Sequence, residues 1–239
     1  SEQKILEGIA LMAKTKKRKK RMLLPYADQL AQELIAYLKK SPATLEAHPL
    51  GSLRRKLSTI GDIDIVVKTK QPNKVIKHFT KFPKIKHILS KGKKALCRVI
   101  LINNCQVDLR TQSPQYYGAM LQYFTGSKHH NIALRELALK RGLSLSEYGI
   151  KKLKSKSEKL KATTKNLKII NFKTEQDFYN YLGMDWIPPE LRENTGEIKA
   201  AQKHCLPNLI QEKDIKGDLH SHSNFNIEPS HDLGQDSMI

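Results

Sequence analysis

Three aspartates and two arginines are the residues of this chain best suited, by type and spacing, to do chemistry. Asp62 and Asp64 lie one residue apart in IGDIDIVV, and Asp108 follows in CQVDLR. Alternate residues of a strand point to one face, so the first two carboxylates project together, roughly 7 Å apart. Like charges that close stay ionised together only with something positive between them. A hard divalent cation such as Mg2+ suits carboxylate oxygens. If the strand of Asp108 pairs beside that of Asp64, three acids can hold two metals, the clamp that stabilises attacking and leaving oxygens in phosphoryl transfer. Upstream, GSLRR (51–55) adds a Gly51-Ser52 turn, whose backbone N–H groups and hydroxyl suit phosphate oxygens. Arg54 and Arg55 add guanidinium forks that suit phosphate as well. Plainer roles exist: a lone aspartate can be a strand-edge charge in water, and an arginine can pair with a neighbouring acid. The second fits Arg54 better than Arg55. Together, a phosphate-binding turn, a DxD strand and a later lone Asp form a nucleotidyl-transfer layout.

These side chains need a sheet to hold them and helices to cover it. Residues 4–20 predict a helix with Ile5, Leu6, Ile9 and Met12 on one side. Pro25 opens a second helix to Lys39, and Pro42 stops it. The period then changes. TLEAHPL, DIDIVV (62–67), HILS, ALCRVILI and CQVDLR read as strands, with a short helix at 72–79 between the second and third. His48-Pro49 interrupts the first strand, Gly92 marks the turn at 91–94, and Asn103-Asn104 a hairpin. Ser113-Pro114 opens a helix to Phe124; Gly126-Ser127 breaks and re-caps the chain before HHNIALRELALKR, which ends at Gly142. Residues 151–168 lack periodicity and read as an exposed loop or ribbon. TEQDFYNYLG is a capped helix with a Gly183 stop, and IPPELREN and GEIKAAQ supply the last helical turns.

Composition narrows the partners. The formal net charge of the 239 residues is +20. KTKKRKKR (14–21) carries seven cations and no acid, and residues 151–173 carry nine lysines against Glu158 alone. A cationic body of this kind seeks a polyanion, and nucleic acid is the natural one. No apolar run reaches the roughly eighteen residues of a membrane span. In SEQKILEGIALMAKTKKRKKRM the basic residues follow the apolar part, the reverse of a secretory leader. Three cysteines without CxxC spacing suggest reduced thiols in the cytoplasm.

GSLRR, GDIDIVV, VDLR and QYFTGSKHHNIALRELALKRGLSLSEYGI, in that order, resemble the family X DNA polymerases, most closely the bacterial and archaeal type with a C-terminal PHP domain; IPPELREN-TGEI and GDLHSHS complete the likeness. The resemblance implies an α+β fold: a polymerase-beta-like nucleotidyltransferase palm with a mixed sheet, flanked by a helical fingers remnant and a helical and ribbon thumb. It divides the chain into residues 1–44 (fingers remnant and entry helix), 45–125 (palm), 126–213 (thumb) and 214–239 (linker and start of a PHP domain). It implies a repair-type, DNA-directed DNA polymerase that fills short gaps as a cytoplasmic monomer, using deoxynucleoside triphosphates, gapped or primer-template DNA, and two Mg2+ or Mn2+ ions.

Carried over by motif, Asp62, Asp64 and Asp108 are the metal-binding and catalytic triad. Gly51, Ser52, Arg55 and Gly61 meet the triphosphate. Tyr123, Phe124 and Gly126 lie beside the incoming sugar, and Asn131 at the minor-groove edge of the incoming nucleotide. Lys128, Arg135 and Tyr148 face DNA, and Arg110 can pair with the second acid in an inactive state. His220 and His222 match the first metal motif of PHP phosphoesterases, but the residues after Ser223 do not continue that pattern, so no nuclease activity is expected of them. Two departures stand out. Gln106 sits where some relatives have an arginine that touches the primer, and a lyase-type N-terminal domain is not evident. The alternatives are an untemplated or RNA-end nucleotidyltransferase, and a DNA-binding scaffold with an inactive site.

Overall fold

Alternation along the strands decides where the core and the chemistry go. The structure, a computed structural model, describes residues 21–92, 96–153 and 169–217. The predicted helix at 4–20, most of the basic run 14–21, the ribbon at 154–168, and His220 and His222 lie outside those residues. The chain forms two units, residues 1–206 and 207–239.

The first unit begins with Met22–Leu23 (β1) and Leu24–Lys39 (α1). Pro25 sits in the first turn of α1, where its missing N–H breaks no helical bond. Ala27, Ala31, Leu34, Ile35 and Leu38 recur at helical spacing and are buried. Then follow Glu46–Pro49 (β2), Gly51–Arg54 (α2), Thr59–Ile60 (β3), Ile63–Lys68 (β4), Pro72–Phe79 (α3), Ile85–Lys91 (β5), Leu96–Leu101 (β6) and Gln106–Gln112 (β7). Five of these strands form one sheet in the order β2-β4-β7-β6-β5. Only β4 and β7 run parallel, with the crossover through α3, β5 and β6 between them. The mixed α+β sheet expected above is present.

One face of this sheet is core. Ile63, Ile65, Val67, Cys97, Val99, Leu101, Val107 and Leu109 pack with α1 and with Val75, Ile76 and Phe79 of α3. Each such fully buried aliphatic side chain stabilises the fold by about 1.5–3 kcal/mol. Since the period of a strand is two, the intervening residues Asp64, Val66, Arg98, Asp108 and Arg110 fall on the opposite face. There Val66 packs with Leu50, Tyr117, Met120 and Leu121.

That second face is roofed by the C-terminal half of the unit. A 3-10 turn at Pro114–Tyr116 leads into Tyr117–Thr125 (α4) and Lys128–Lys140 (α5). Leu143–Ser146 (β8), Gly149–Lys152 (β9) and Ile169–Ile170 (β10) form a three-stranded antiparallel sheet. Glu175–Tyr181 (α6) and Glu197–Gln202 (α7) close the unit. Phe172, Phe178, Tyr179, Leu182, Met184 and Ile187 make its core with Leu134 and Ile150. The Thr174 side chain caps α6 by accepting from the Asp177 N–H, as expected. In the second unit, the described residues include a 3-10 turn at Glu212–Asp214.

The structure corrects several local expectations. Strand β2 runs through His48-Pro49, with Pro49 opposite Ile65. It is an edge strand, where a proline need not donate to the ladder. Gly51-Ser52 is the start of a short helix, not a free turn. Asp62 lies just before β4. The helix after Ser113 opens as a 3-10 turn and reaches Thr125. Strands β8 to β10 were not anticipated. Among the described residues, no helix is long and apolar enough to cross a membrane.

Candidate active site

The register of the parallel pair places Asp64 directly opposite Asp108. Two carboxylates on adjacent strands of one face share a small region, and Asp62, at the bend before β4, adds a third charge. The effect is visible on Asp64, whose carboxyl is pushed up to about 6 by burial and then by the charges of Asp62 and Asp108. Asp108 behaves oppositely. Burial pushes its carboxyl up, but hydrogen bonds from Arg98 and Gln106 outweigh that and hold it below the usual carboxylate value. Arg98 grips both its oxygens, Nε to Oδ1 at 2.7 Å and Nη2 to Oδ2 at 2.6 Å, and Gln106 Nε2 donates to Oδ1 at 3.0 Å.

The start of α2 closes over Asp64. The Leu50 N–H donates to the Asp64 carbonyl at 2.8 Å. Gly51 has φ +59°, and a Cβ there would stand 2.9 Å from Asp64 Oδ2. Glycine is needed both for the left-handed backbone and for the close approach. The next residues, Ser52 and Leu53, bring the first turn of a helix, whose leading N–H groups have no intrahelical acceptor, to the rim of the acidic face.

Arg54, the last residue of α2, and Arg55, which caps it, reach the C-terminal half. Arg54 donates to Glu175 Oε1 and Oε2 at 3.1 and 2.8 Å and to the Thr125 hydroxyl. Glu175 is buried and also accepts from Arg192 at 2.6 Å and from the Trp186 indole at 2.9 Å. Burial raises its carboxyl, but Arg192 and Arg54 prevail and lower it to about 2. The plainer reading, an arginine paired with a neighbouring acid, thus holds for Arg54, and it extends to Arg55, where it is expected less. Arg55 donates through Nε to Glu193 Oε1 at 2.6 Å and through Nη1 to the Thr125 carbonyl. A cavity of about 280 Å³ reaches Arg54 and Glu175; of its lining cations Arg54, Lys68 and Lys173, the first two are paired with Glu175 and Glu46.

Above the acidic face, Arg110 lies on the Phe124 ring, its guanidinium carbon 3.9 Å from the ring centre, and Phe124 meets Tyr123 edge-on at 4.9 Å. At the junction of α4 and α5, Gly126 adopts φ +74°, the Gly126–Ser127 peptide is cis, and the Ser127 hydroxyl accepts from the His130 N–H. Asn131 donates to the Tyr123 carbonyl at 2.7 Å and accepts from Gln122 at 2.9 Å, so its amide plane is set by α4. Behind it His130 is fully buried, bonded to Glu197 at 2.6 Å and to the Tyr179 hydroxyl at 3.2 Å. Arg135 and Lys128 are exposed on α5, and Tyr148, at the tip of the β8–β9 hairpin, is exposed and meets Tyr116 edge-on at 5.8 Å. Gly61 lies between β3 and β4, near Arg21.

Sequence reasoning missed Arg98, Gln122, Glu175, Glu193 and His130. Arg98 had a signal, as the one cation inside an alternating apolar strand, ALCRVILI. Glu175, Glu193 and His130 had none, since most of their partners are remote in the chain, and nothing in Gln122's type marks its bond to Asn131 nine residues on. Among the described residues no group of three or more Asp, Glu, His or Cys side chains converges as a ready cage for one ion. The donors nevertheless suit a hard divalent cation: three carboxylates of which Asp108 is buried and Asp64 is half-buried, its carboxyl raised by burial and then by the charges of the other two.

Comparison with known proteins adds to the geometry. Residues 120–193 match the family model described as DNA polymerase beta thumb. The chain is 31% identical over 226 residues to the DNA polymerase/3'-5' exonuclease PolX of Bacillus subtilis (strain 168), an alignment covering 94% of this chain and 37% of that protein. The chain therefore spans a little over a third of the length of that curated relative. Among solved structures, a Leishmania infantum polymerase beta in a ternary gap complex aligns with a TM-score of 0.60 at 22% identity, over 73% of this chain and 71% of that one. The same polymerase in a ternary P/T complex aligns with a TM-score of 0.61 at 23% identity, over 73% and 77%.

Proposed function

The chain belongs to the family X DNA polymerases, and on that premise we propose that its acidic face is the catalytic centre of a DNA-directed DNA polymerase. The reaction is templated transfer of a nucleotidyl group from a deoxynucleoside triphosphate to a primer 3'-hydroxyl. The observation that carries this reading is the in-register pairing of Asp64 with Asp108 beneath the start of α2. Divalent cations, Mg2+ or Mn2+, held by Asp62, Asp64 and Asp108 supply charge neutralisation of the triphosphate and a lowered pKa for the attacking hydroxyl.

The chain's own residues do the positioning. Gly51, Ser52 and Gly61 offer backbone N–H groups, and Ser52 a hydroxyl, to the triphosphate. Arg55 adds a guanidinium, exchanging Glu193 for phosphate. Tyr123 and Phe124 flank the sugar, with Gly126 as the bend that lets them do so. Asn131, oriented by Gln122 and the Tyr123 carbonyl, reads the edge of the incoming base. Arg135, Lys128 and Tyr148, all exposed, face the DNA. On this reading residues 45–125 serve as palm and 126–213 as thumb, and the protein acts as a monomer in the cytoplasm, filling short gaps during base excision repair.

Primer extension opposite each of the four template bases, with and without Mg2+, tests the reading. Incorporation should follow the template, require the metal, and vanish in Asp64→Asn and Asp108→Asn variants that keep the wild-type circular dichroism. Metal-dependent addition that ignores the template base would assign untemplated transfer instead. Undiminished activity of both variants would remove the site.

A further inference from the structure

Among the described residues, Arg98 is the side chain of a neighbouring strand that grips Asp108 by both oxygens, and it does so at the point where a cation would bind. The antiparallel register of β6 and β7 sets Arg98 opposite Asp108. The fork engages both carboxylate oxygens, at 2.7 and 2.6 Å, and Gln106 takes a second bond to Oδ1 at 3.0 Å. A metal ion that uses Asp108 must therefore displace or share these contacts. The two partners differ in freedom: the Asp108 side chain is 6% exposed and the Arg98 side chain 39%. Arg98 can swing into solvent without opening the core, whereas Asp108 is fixed in the sheet. The nearby Arg110 is stacked on Phe124, and its charge acts on Asp108 and on Asp64 without the two-oxygen fork that Arg98 makes to Asp108. The charge of Arg98 also acts on Asp64 and Asp62, so it serves the whole acidic cluster.

We propose that Arg98 is a resident counter-ion that holds Asp108 out of metal coordination until a divalent cation displaces its guanidinium, and so sets the cation concentration at which the site fills. This rests on reading the acidic face as a metal centre.

Direct binding of Mn2+ to the full chain, without DNA or nucleotide, tests the proposal, with free Mn2+ read by electron paramagnetic resonance. Removing a competing, partly solvated charge-assisted pair predicts about tenfold tighter Mn2+ binding by Arg98→Gln than by wild type. Arg98→Lys, which keeps the charge but loses the fork, should fall between them, and decides the matter if Arg98→Gln does not fold. In an Asp108→Asn background the gain should disappear, because the clamp has nothing to hold. Equal affinities in wild type and Arg98→Gln, or weaker binding by the variant, would overturn the proposal and leave the metal centre standing. No Mn2+ binding by either protein would overturn both.

Discussion

Replacing Glu175 by Gln is the most informative perturbation of the framework. Glu175 is 3% exposed and accepts from Arg54, from Arg192, which is fully buried, and from Trp186. The fall of its carboxyl from 4.5 to about 2 corresponds to about 3 kcal/mol of stability at neutral pH. Removing one partner of a buried ion pair costs about 3–5 kcal/mol by mutational precedent, because the remaining charge is left uncompensated. The two routes agree. For a chain of this size, each kcal/mol moves Tm by about 2–4 °C, so Glu175→Gln should melt about 6–12 °C below wild type at pH 7. The pH dependence has a fixed sign. A carboxylate whose folded pKa is depressed stabilises above its unfolded pKa, here 4.5, and loses that contribution as pH falls toward about 2. The gap between wild type and variant, measured by urea denaturation at several pH values, should therefore be constant from pH 7 to about 5.5 and shrink steadily below 4.5. A gap under about 1 kcal/mol at pH 7, or one that does not narrow by pH 3, would refute the assignment of this carboxylate as an ionised, triply bonded anchor.

Two further changes probe the site and its surroundings. Gly51→Ala introduces a Cβ 2.9 Å from Asp64 Oδ2 at a left-handed residue. It should lower Tm by several degrees, from a backbone cost of about 1–2 kcal/mol, and reduce primer extension at least about tenfold. Unchanged extension would show that the close approach is dispensable. The cysteines should separate in reactivity: Cys205 is exposed, Cys97 is buried, and the Cys105 thiol is pushed up to about 11 by burial and by Asp62. At pH 8 a chromogenic disulfide should titrate one fast thiol per native chain, lost in Cys205→Ser, with the other two appearing on denaturation; two or more fast thiols would contradict the packing around β6 and β7.

The parts legible in the sequence are those with a local cause. Alternation in DIDIVV and CQVDLR marks strands with acids on one face, and proline positions mark the openings of α1 and α3. The Ser127 and Thr174 caps follow from the residues at and after them. Pairing is a different matter. That Asp64 meets Asp108 depends on a crossover of about forty residues, and that Arg98 meets Asp108 depends on a hairpin register with irregular neighbours. The hairpin β8–β9 did carry a signal in the Leu143-Ser144-Leu145-Ser146 alternation, masked by the helix before it. The buried charges Glu175, Arg192 and Glu197 look like surface residues in sequence, because only the folded chain brings their partners.

Adjacent arginines at the end of one short helix hold two distant acids, and the acids differ. Glu175 is sealed from water while Glu193 keeps 34% of its side-chain surface exposed. Arg54 is therefore a rivet, and Arg55 a clasp that, on the proposed function, an arriving polyphosphate would undo. Capturing Arg55 would cost Glu193 its ion pair, so a ligand seated on the sheet would loosen the loop that precedes α7 while leaving the rivet in place.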